Sequence, residues 1–174
     1  GKTKEDIIVG NRGYSIKTSE PGSSFDSGTL IFGFRNEIED MNKDGVDTTG
    51  IDTPYQLLKK EGEVYNQYKR GMLTSMFTSG SDDIAGGPLD WIFSIIYPNY
   101  IEYTVWSSDD LINAIITNPD MLGVGRSPKT DVRIKSRFVM VNPSIIQFPS
   151  FTPDELKKLR YVEDRGLKLD KIAE

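Results

Sequence analysis

The stretch that decides the fold is residues 88–116, PLDWIFSIIYPNYIEYTVWSSDDLINAII, which contains both tryptophans of the chain. Pro88 suits a first helical turn, because its φ is already fixed near the helical value and its missing N–H would be unpaired there anyway. Apolar residues then recur at helical spacing, which predicts a short helix that ends near Tyr97. The residues of this stripe are Trp91, Ile92, Ile95 and Ile96.

The remainder of the stretch predicts a strand and a second helix. In residues 100–106, large apolar or aromatic side chains alternate with polar ones, as they do in a half-buried strand. One face consists of Ile101, Tyr103 and Val105, and the other of Glu102 and Thr104. Ser108 is the expected N-cap of the following helix, and Asp109 and Asp110 favour its positive end. The buried stripe of that helix is expected to be Leu111, Ile112, Ile115 and Ile116.

Flanking segments add further elements. Strands are expected at 7–9, 13–17, 29–34 and 130–141, the last with one basic face. A long helix is expected from Thr53, a cap that precedes proline, to about Phe77. Gly62 and Gly71 weaken that helix, so a kink, a break or close packing is expected at either glycine. A last helix is expected to start at a capping box of Thr152 and Glu155, to bury Leu156, Leu159 and Val162, and to end at Gly166.

These elements predict a single α+β domain over residues 1–174, with a mostly antiparallel sheet packed against about four helices. Three segments rich in glycine, proline or polar residues are expected to be mobile loops: 19–28, 36–52 and 118–128.

Composition limits the chemistry. The chain has no cysteine and no histidine, so thiol catalysis, cysteine-bound metals and histidine general bases are excluded. Its adjacent carboxylates point to different faces, and its serines lack an activating base, so we do not expect an enzyme. The net charge of −5 opposes general nucleic-acid binding. No apolar run approaches the ~20 residues of a membrane span, so no membrane partner is expected.

An acidic segment matches the start of a calcium loop. Residues 40–45, DMNKDG, follow the D-x-[DN]-x-[DN]-G pattern, in which oxygen ligands converge around a turn. The twelfth position is Ile51 rather than glutamate, so a calcium site would have to be non-standard. Its candidate ligands are Asp40, Asn42, Asp44, Asp47 and Asp52. An exposed turn is the alternative interpretation.

Basic residues gather between positions 126 and 137: Arg126, Lys129, Arg133, Lys135 and Arg137. If Tyr97, Tyr100 and Tyr103 were exposed beside them, bases could stack while phosphates were neutralised, so RNA is one candidate partner. A basic strand face that is solvated or paired with carboxylates is the alternative.

Two glycine–arginine segments, GNRG at 10–13 and GVGRS at 123–127, could place N–H groups and a guanidinium around a phosphate. Neither matches a P-loop, so tight turns are the alternative.

Two resemblances point toward viral proteins. The last residues, Lys171-Ile172-Ala173-Glu174, resemble the Leu/Ile-x-Glu signature after which prohead proteases of large tailed phages cut, and Gly1 suits the product of such a cut. Residues 13–24 together with 111–116 resemble the order of a β-rich opening and an apolar helix in the cap-binding-type domain of segmented negative-strand virus polymerases. Neither resemblance implies catalytic residues.

The sequence therefore predicts a non-enzymatic structural or interaction module of a larger assembly, such as a virion, with other protein subunits as partners. An RNA-binding or cap-binding-type domain is one alternative, and a weak calcium-binding module is another.

Overall fold

The centre of the fold is an antiparallel hairpin of strands β4 (Leu89–Ile96) and β5 (Tyr100–Ser107). The computed structural model describes residues 6–78, 89–148, 152–155 and 157–158. The helix predicted after Pro88 is wrong, and Pro88 itself lies outside the described residues. A short apolar run fits both the repeat of a helix and the repeat of a strand. Its β-branched and aromatic residues favour the strand.

The main sheet has five strands in the order β1 (Ile7–Val9), β2 (Arg12–Ser19), β4, β5 and β8 (Ser144–Gln147). Strands β2 and β4 are parallel, whereas the other neighbours are antiparallel. The prediction of an α+β fold is confirmed. A parallel pair needs a long crossover connection, and the chain between β2 and β4 supplies one that carries three helices.

Those crossover helices are α1 (Ile31–Lys43), α2 (Pro54–Lys59) and α3 (Asn66–Phe77). The single long helix expected from Thr53 is broken between α2 and α3. Lys60 is already extended, with a ψ of 125°, and Gly62 adopts a φ of 122° that side chains disfavour. A 3-10 helix, Glu63–Tyr65, then leads into α3. The cap is confirmed: Thr53 and Gln56 form a capping box.

A second sheet has three antiparallel strands in the order β3 (Phe25–Asp26), β7 (Val132–Ile134) and β6 (Leu122–Val124). The strand expected at 29–34 is wrong, because α1 begins at Ile31. The strand expected at 130–141 is also too long. The chain turns into helix α5 (Ser136–Val139) directly after β7.

The three segments expected to be mobile loops contain regular structure. Segment 19–28 includes β3, and segment 118–128 includes a 3-10 helix, Pro119–Met121, and β6. Segment 36–52 begins inside α1. A loop over the whole of each segment is therefore wrong, because polar and glycine-rich composition does not reveal pairing with a distant strand or packing against a distant helix. The mobility of these segments stays a prediction.

The core lies on one face of the hairpin. Trp91 and Phe93 are buried there, and the indole N–H of Trp91 donates to the carbonyl of Phe77 at 3.0 Å. Phe77 and Trp91 meet edge to face with ring centroids 4.7 Å apart. On β5, the side chains of Thr104 and Trp106 donate to the carbonyl of Val139.

The strand over residues 100–106 is confirmed, and Ile101, Tyr103 and Val105 share one face as predicted. That face is the one opposite Trp91, and Val105 is exposed on it.

Helix α4 (Ser108–Thr117) follows β5 without a loop. Its N-cap is Ser107 rather than Ser108, and the Ser107 hydroxyl accepts from the N–H of Asp110. Ser108 is buried instead, where its hydroxyl contacts the carbonyl oxygens of Phe77 and Leu89. The predicted stripe is confirmed for Leu111, Ile112 and Ile115, which are buried; Ile116 is half-buried.

The start of the last helix is also visible. The hydroxyl of Thr152 accepts from the N–H of Glu155 at 3.2 Å, and residues 153–155 are helical. The predictions for Leu156, Leu159, Val162 and Gly166 fall outside the described residues.

Candidate functional site

The segment predicted to resemble a calcium loop is the end of helix α1. Gly45 adopts a φ of 73°. Its N–H donates to the carbonyl of Asn42 at 3.3 Å, and the N–H of Val46 donates to the carbonyl of Met41 at 2.9 Å. This pair of bonds is the Schellman arrangement, in which a left-handed glycine closes a helix. The glycine of DMNKDG is therefore explained by a helix terminus.

The candidate calcium ligands have separate partners. Asp44 accepts from the Tyr68 hydroxyl at 2.5 Å, and the Asn42 side chain accepts from the Thr48 hydroxyl at 3.3 Å. Asp47 accepts from the N–H of Thr49, and the hydrogen bonds from Thr49 lower the pKa of Asp47.

Asp40 and Asp44 are four positions apart and lie on one face of α1, where both carboxylates are near Tyr68. Asn42 is two positions from each and points to a different face, so the three side chains do not converge. The backbone N–H of Asp52 donates to Gln56. Among the described residues, no group of three histidine, cysteine or acidic side chains could hold a metal ion. Calcium binding remains a prediction.

The five basic residues do not form one strand face. Arg126 and Arg133 line a cleft of about 630 Å³, while Lys129 is exposed in the turn before β7. Lys135 is the residue that precedes α5, and the Arg137 guanidinium lies 4.7 Å from the centre of the Phe138 ring. The bend at Ser136 is the cause, because alternate residues share a face only while the strand continues.

The tyrosines are also divided. Tyr97 and Tyr100 stack at the hairpin turn, with ring centroids 4.4 Å apart. Burial and the nearby Glu102 carboxylate raise the pKa of Tyr97. Tyr103 lines a different, shallow pocket with Asp110 and Asn142, and none of the five basic residues lines it.

The other face of the main sheet, which we call the outer face, is partly apolar. The strand register places two rows of apolar residues there, opposite the face that holds Trp91. One row is Ile16, Ile92 and Val105, and the other is Ile96, Ile101 and Ile146. Ile96, Val105 and Ile146 are each about half exposed, at 48%, 52% and 50%. Thr18, Ser94 and Tyr103 form a row between these two. The outer face therefore has two narrow apolar strips rather than one continuous apolar patch.

Strand β8 is an edge of the main sheet in the described part of the chain. Its sequence, SIIQ, carries no charge, and all four residues are exposed. The N–H of Phe148 donates to the carbonyl of Asn99. Because bonded pairs alternate along an antiparallel ladder, Ser144 and Ile146 bond inward to β5. The N–H and C=O groups of Ile145 and Gln147 therefore point away from the sheet.

This edge strand was not among the strands predicted from the sequence. A short apolar run bracketed by Pro143 and Pro149 was the available signal, since strands of this kind end at proline and edge strands are short. The opposite edge, β1, is likewise uncharged and exposed.

Comparison with protein-family models, curated proteins and solved structures gave no match. None of the helices that the structure describes is long and apolar enough to cross a lipid bilayer.

Proposed function

We propose that this protein is a non-enzymatic interaction module of a larger assembly, and that its partner is an extended, apolar segment of another protein that adds as a strand to β8. The observation that carries the proposal is the uncharged, exposed edge. Natural sheets blunt an exposed edge by keeping its strand short or with charge, proline or a bulge. Strand β8 has no charge and no proline within Ser144–Gln147.

The chemistry of the edge indicates the kind of partner. The outward N–H and C=O groups of Ile145 and Gln147 supply main-chain hydrogen bonds to an added strand, and such bonds provide affinity in strand addition. The side chains of Ile145 and Ile146 are 56% and 50% exposed on opposite faces of the strand. An added strand with apolar residues at alternate positions would cover Ile146 and continue the apolar rows of the outer face.

The experiment compares two variants with the same chemical change. Ile145→Lys places a charge on the edge, as natural edges do. Val64→Lys makes the same change at a residue of similar exposure, 51%, in the 3-10 helix before α3. We expect Ile145→Lys to abolish association in a light-scattering concentration series and in a pull-down from the native source, while Val64→Lys leaves both unchanged.

Hydrogen exchange supplies an independent measurement. In the complex, the amides of Ile145 and Gln147 should gain protection, whereas that of Ile146, already bonded to β5, should change little. A wild-type protein that is monomeric and captures no partner, or equal losses in both lysine variants, would contradict the proposal.

That the assembly is a viral particle stays a prediction from the sequence. The RNA-binding alternative is favoured by one observation, the shared cleft of Arg126 and Arg133. It requires a labelled oligonucleotide to bind the wild type at low salt, and simultaneous replacement of Arg133, Lys135 and Arg137 by glutamate to abolish that binding.

A further inference from the structure

A polar cleft of about 630 Å³ lies between the two sheets, at the carboxyl ends of β2 and β4. Four charged residues line it: Glu20, Asp26, Arg126 and Arg133. The side chains of Thr18 and Ser23 add exposed hydroxyl groups. This site is separate from edge strand β8 and plays no part in the strand addition proposed above.

The opposite charges in the cleft do not form close ion pairs with each other. Within the described part of the chain, the one ion pair closer than 4.0 Å joins Arg12 to Asp90, outside the cleft. Arg126 and Glu20 are both exposed at the cleft. Asp26 accepts from the N–H of Gly28 at 3.3 Å through one carboxylate oxygen and keeps further acceptor positions, since a carboxylate has about four. Two cations and two carboxylates therefore face the same space and can bind a ligand that has both acceptor and donor groups.

Arg133 is held in position by its neighbours. Its Nη2 donates to the carbonyl of Ser24 at 2.7 Å, and its Nε donates to the Ser24 hydroxyl. It lies directly opposite Asp26 in the β3–β7 pair. Because these bonds fix the plane of the guanidinium, the remaining Nη1 group can bind an anion with little loss of side-chain freedom.

Arg126 is placed at the cleft by the glycine before it. A Cβ atom on Gly125 would collide with the carboxylate of Asp131 and would lie 2.7 Å from its backbone carbonyl oxygen. Asp131 is itself buried and accepts from the N–H of Ser127. The loop can pack this closely only with glycine at 125, so the GVGRS segment brings its arginine to the cleft rather than forming a simple turn.

The donor and acceptor set defines a ligand class. Arginine side chains bind phosphate oxygens through several parallel N–H groups, and carboxylates accept hydrogen bonds from ribose hydroxyls in nucleotide sites. We propose that the cleft binds a phosphate monoester that also carries neighbouring hydroxyl groups, either a sugar phosphate or a nucleotide. Arg126 and Arg133 hold the phosphate, and Glu20 and Asp26 accept from the hydroxyls.

The carboxylates give the proposal an internal test. Negative charge at Glu20 repels a bare phosphate but accepts hydrogen bonds from a hydroxyl-bearing ester. The Glu20→Gln variant should therefore strengthen binding of inorganic phosphate and weaken binding of ribose 5-phosphate. A site that merely attracts anions would show the same sign of change for both ligands.

The experiment titrates the wild-type chain with ribose 5-phosphate, adenosine 5′-monophosphate, inorganic phosphate and ribose, followed by NMR chemical shifts up to about 10 mM, a range that covers millimolar affinities. Arg126→Gln should weaken ester binding about tenfold or more, the usual effect of losing a hydrogen bond to a charged group. Lys129→Gln removes the same charge three residues away, where it does not line the cleft, and should change affinity less than twofold.

Thermal melting of each variant confirms that it is folded. Tighter binding of adenosine 5′-monophosphate than of ribose 5-phosphate would identify the ligand as a nucleotide. Equal binding of the two would identify it as a sugar phosphate. The proposal is overturned if neither ester binds, if Arg126→Gln and Lys129→Gln have equal effects, or if Glu20→Gln shifts both ligands in one direction. None of these outcomes depends on strand addition at β8.

Discussion

The Gly125→Ala variant should destabilise the protein, although it adds a single methyl group. The backbone of Gly125 has an ordinary negative φ, so conformational strain does not enter the comparison. The new Cβ would lie 2.7 Å from the carbonyl oxygen and 2.8 Å from the carbonyl carbon of Asp131. Backbone atoms cannot rotate away as a flexible side chain can. Either the 125–127 loop or the start of β7 must move.

The expected magnitude follows from overpacking. Forcing extra atoms into a packed site costs about 1–3 kcal/mol of unfolding free energy, which for a chain of this length corresponds to a fall in Tm of roughly 2–12 °C. The assay is urea unfolding followed by the fluorescence of Trp91 and Trp106, the two tryptophans of the chain. The slope of the transition should be unchanged, because the surface exposed on unfolding stays the same.

Gly123→Ala is the matched control, two residues earlier in the same chain segment. A Cβ there meets nothing within 4 Å, and its φ is also negative. Alanine at that position should be neutral or should stabilise by about 0.4–1 kcal/mol, since it removes freedom from the unfolded chain. Equal stabilities of the two variants would refute the close contact between Gly125 and Asp131, and with it the stated reason for the position of Arg126.

Two other predictions concern the crossover helices. Lys69 is buried and donates to the carbonyl of Lys60 at 2.6 Å, and burial lowers its pKa. Between that lowered pKa and about 10.4, the folded protein therefore binds fewer protons than the unfolded chain. The stability of the wild type relative to Lys69→Met should consequently rise with pH across this window. A stability difference between the two proteins that does not depend on pH in urea titrations would contradict this prediction. For the acidic segment, about 10 mM calcium should leave the melting temperature of the wild type unchanged. Asp44→Ala should lower the melting temperature equally with and without calcium, because the hydrogen bond from Tyr68 is lost. A rise in melting temperature with calcium that Asp44→Ala removes would instead support a calcium site.

The local features predicted from sequence were those whose cause is local. The Thr53 cap, the apolar stripe of α4 and the alternation of β5 depend on residues within one or two turns of each other, and all three are present. Gly62 and Gly71 were both expected to disturb one helix. Gly62 breaks it, and Gly71 packs closely against Glu37 of α1.

The failures occurred where two local interpretations fit equally well. Residues 89–96 satisfy a helical stripe and a strand with both faces partly covered. Pairing with β2 on one side and β5 on the other decides between them. DMNKDG fits both a calcium loop and a helix C-terminus, since each needs a glycine that tolerates positive φ. The packing of Met41 into the core favours the helix, and the sequence motif contains no information about that contact.

The cleft could not have been found by spacing along the chain. Its charged residues come from two segments that lie at least 100 positions apart: Glu20 and Asp26 in the first, Arg126 and Arg133 in the second. They meet because β3, only two residues long, pairs with β7 and places Asp26 opposite Arg133. Such a short strand has no period that a sequence could reveal. Sequence reasoning grouped Arg126 and Arg133 with three neighbouring cations, whereas the fold separates those two from the others and places them with carboxylates. The fold therefore forms a site of mixed charge rather than a general basic surface. A site of mixed charge is the arrangement needed to distinguish a hydroxyl-bearing phosphate ester from a bare anion.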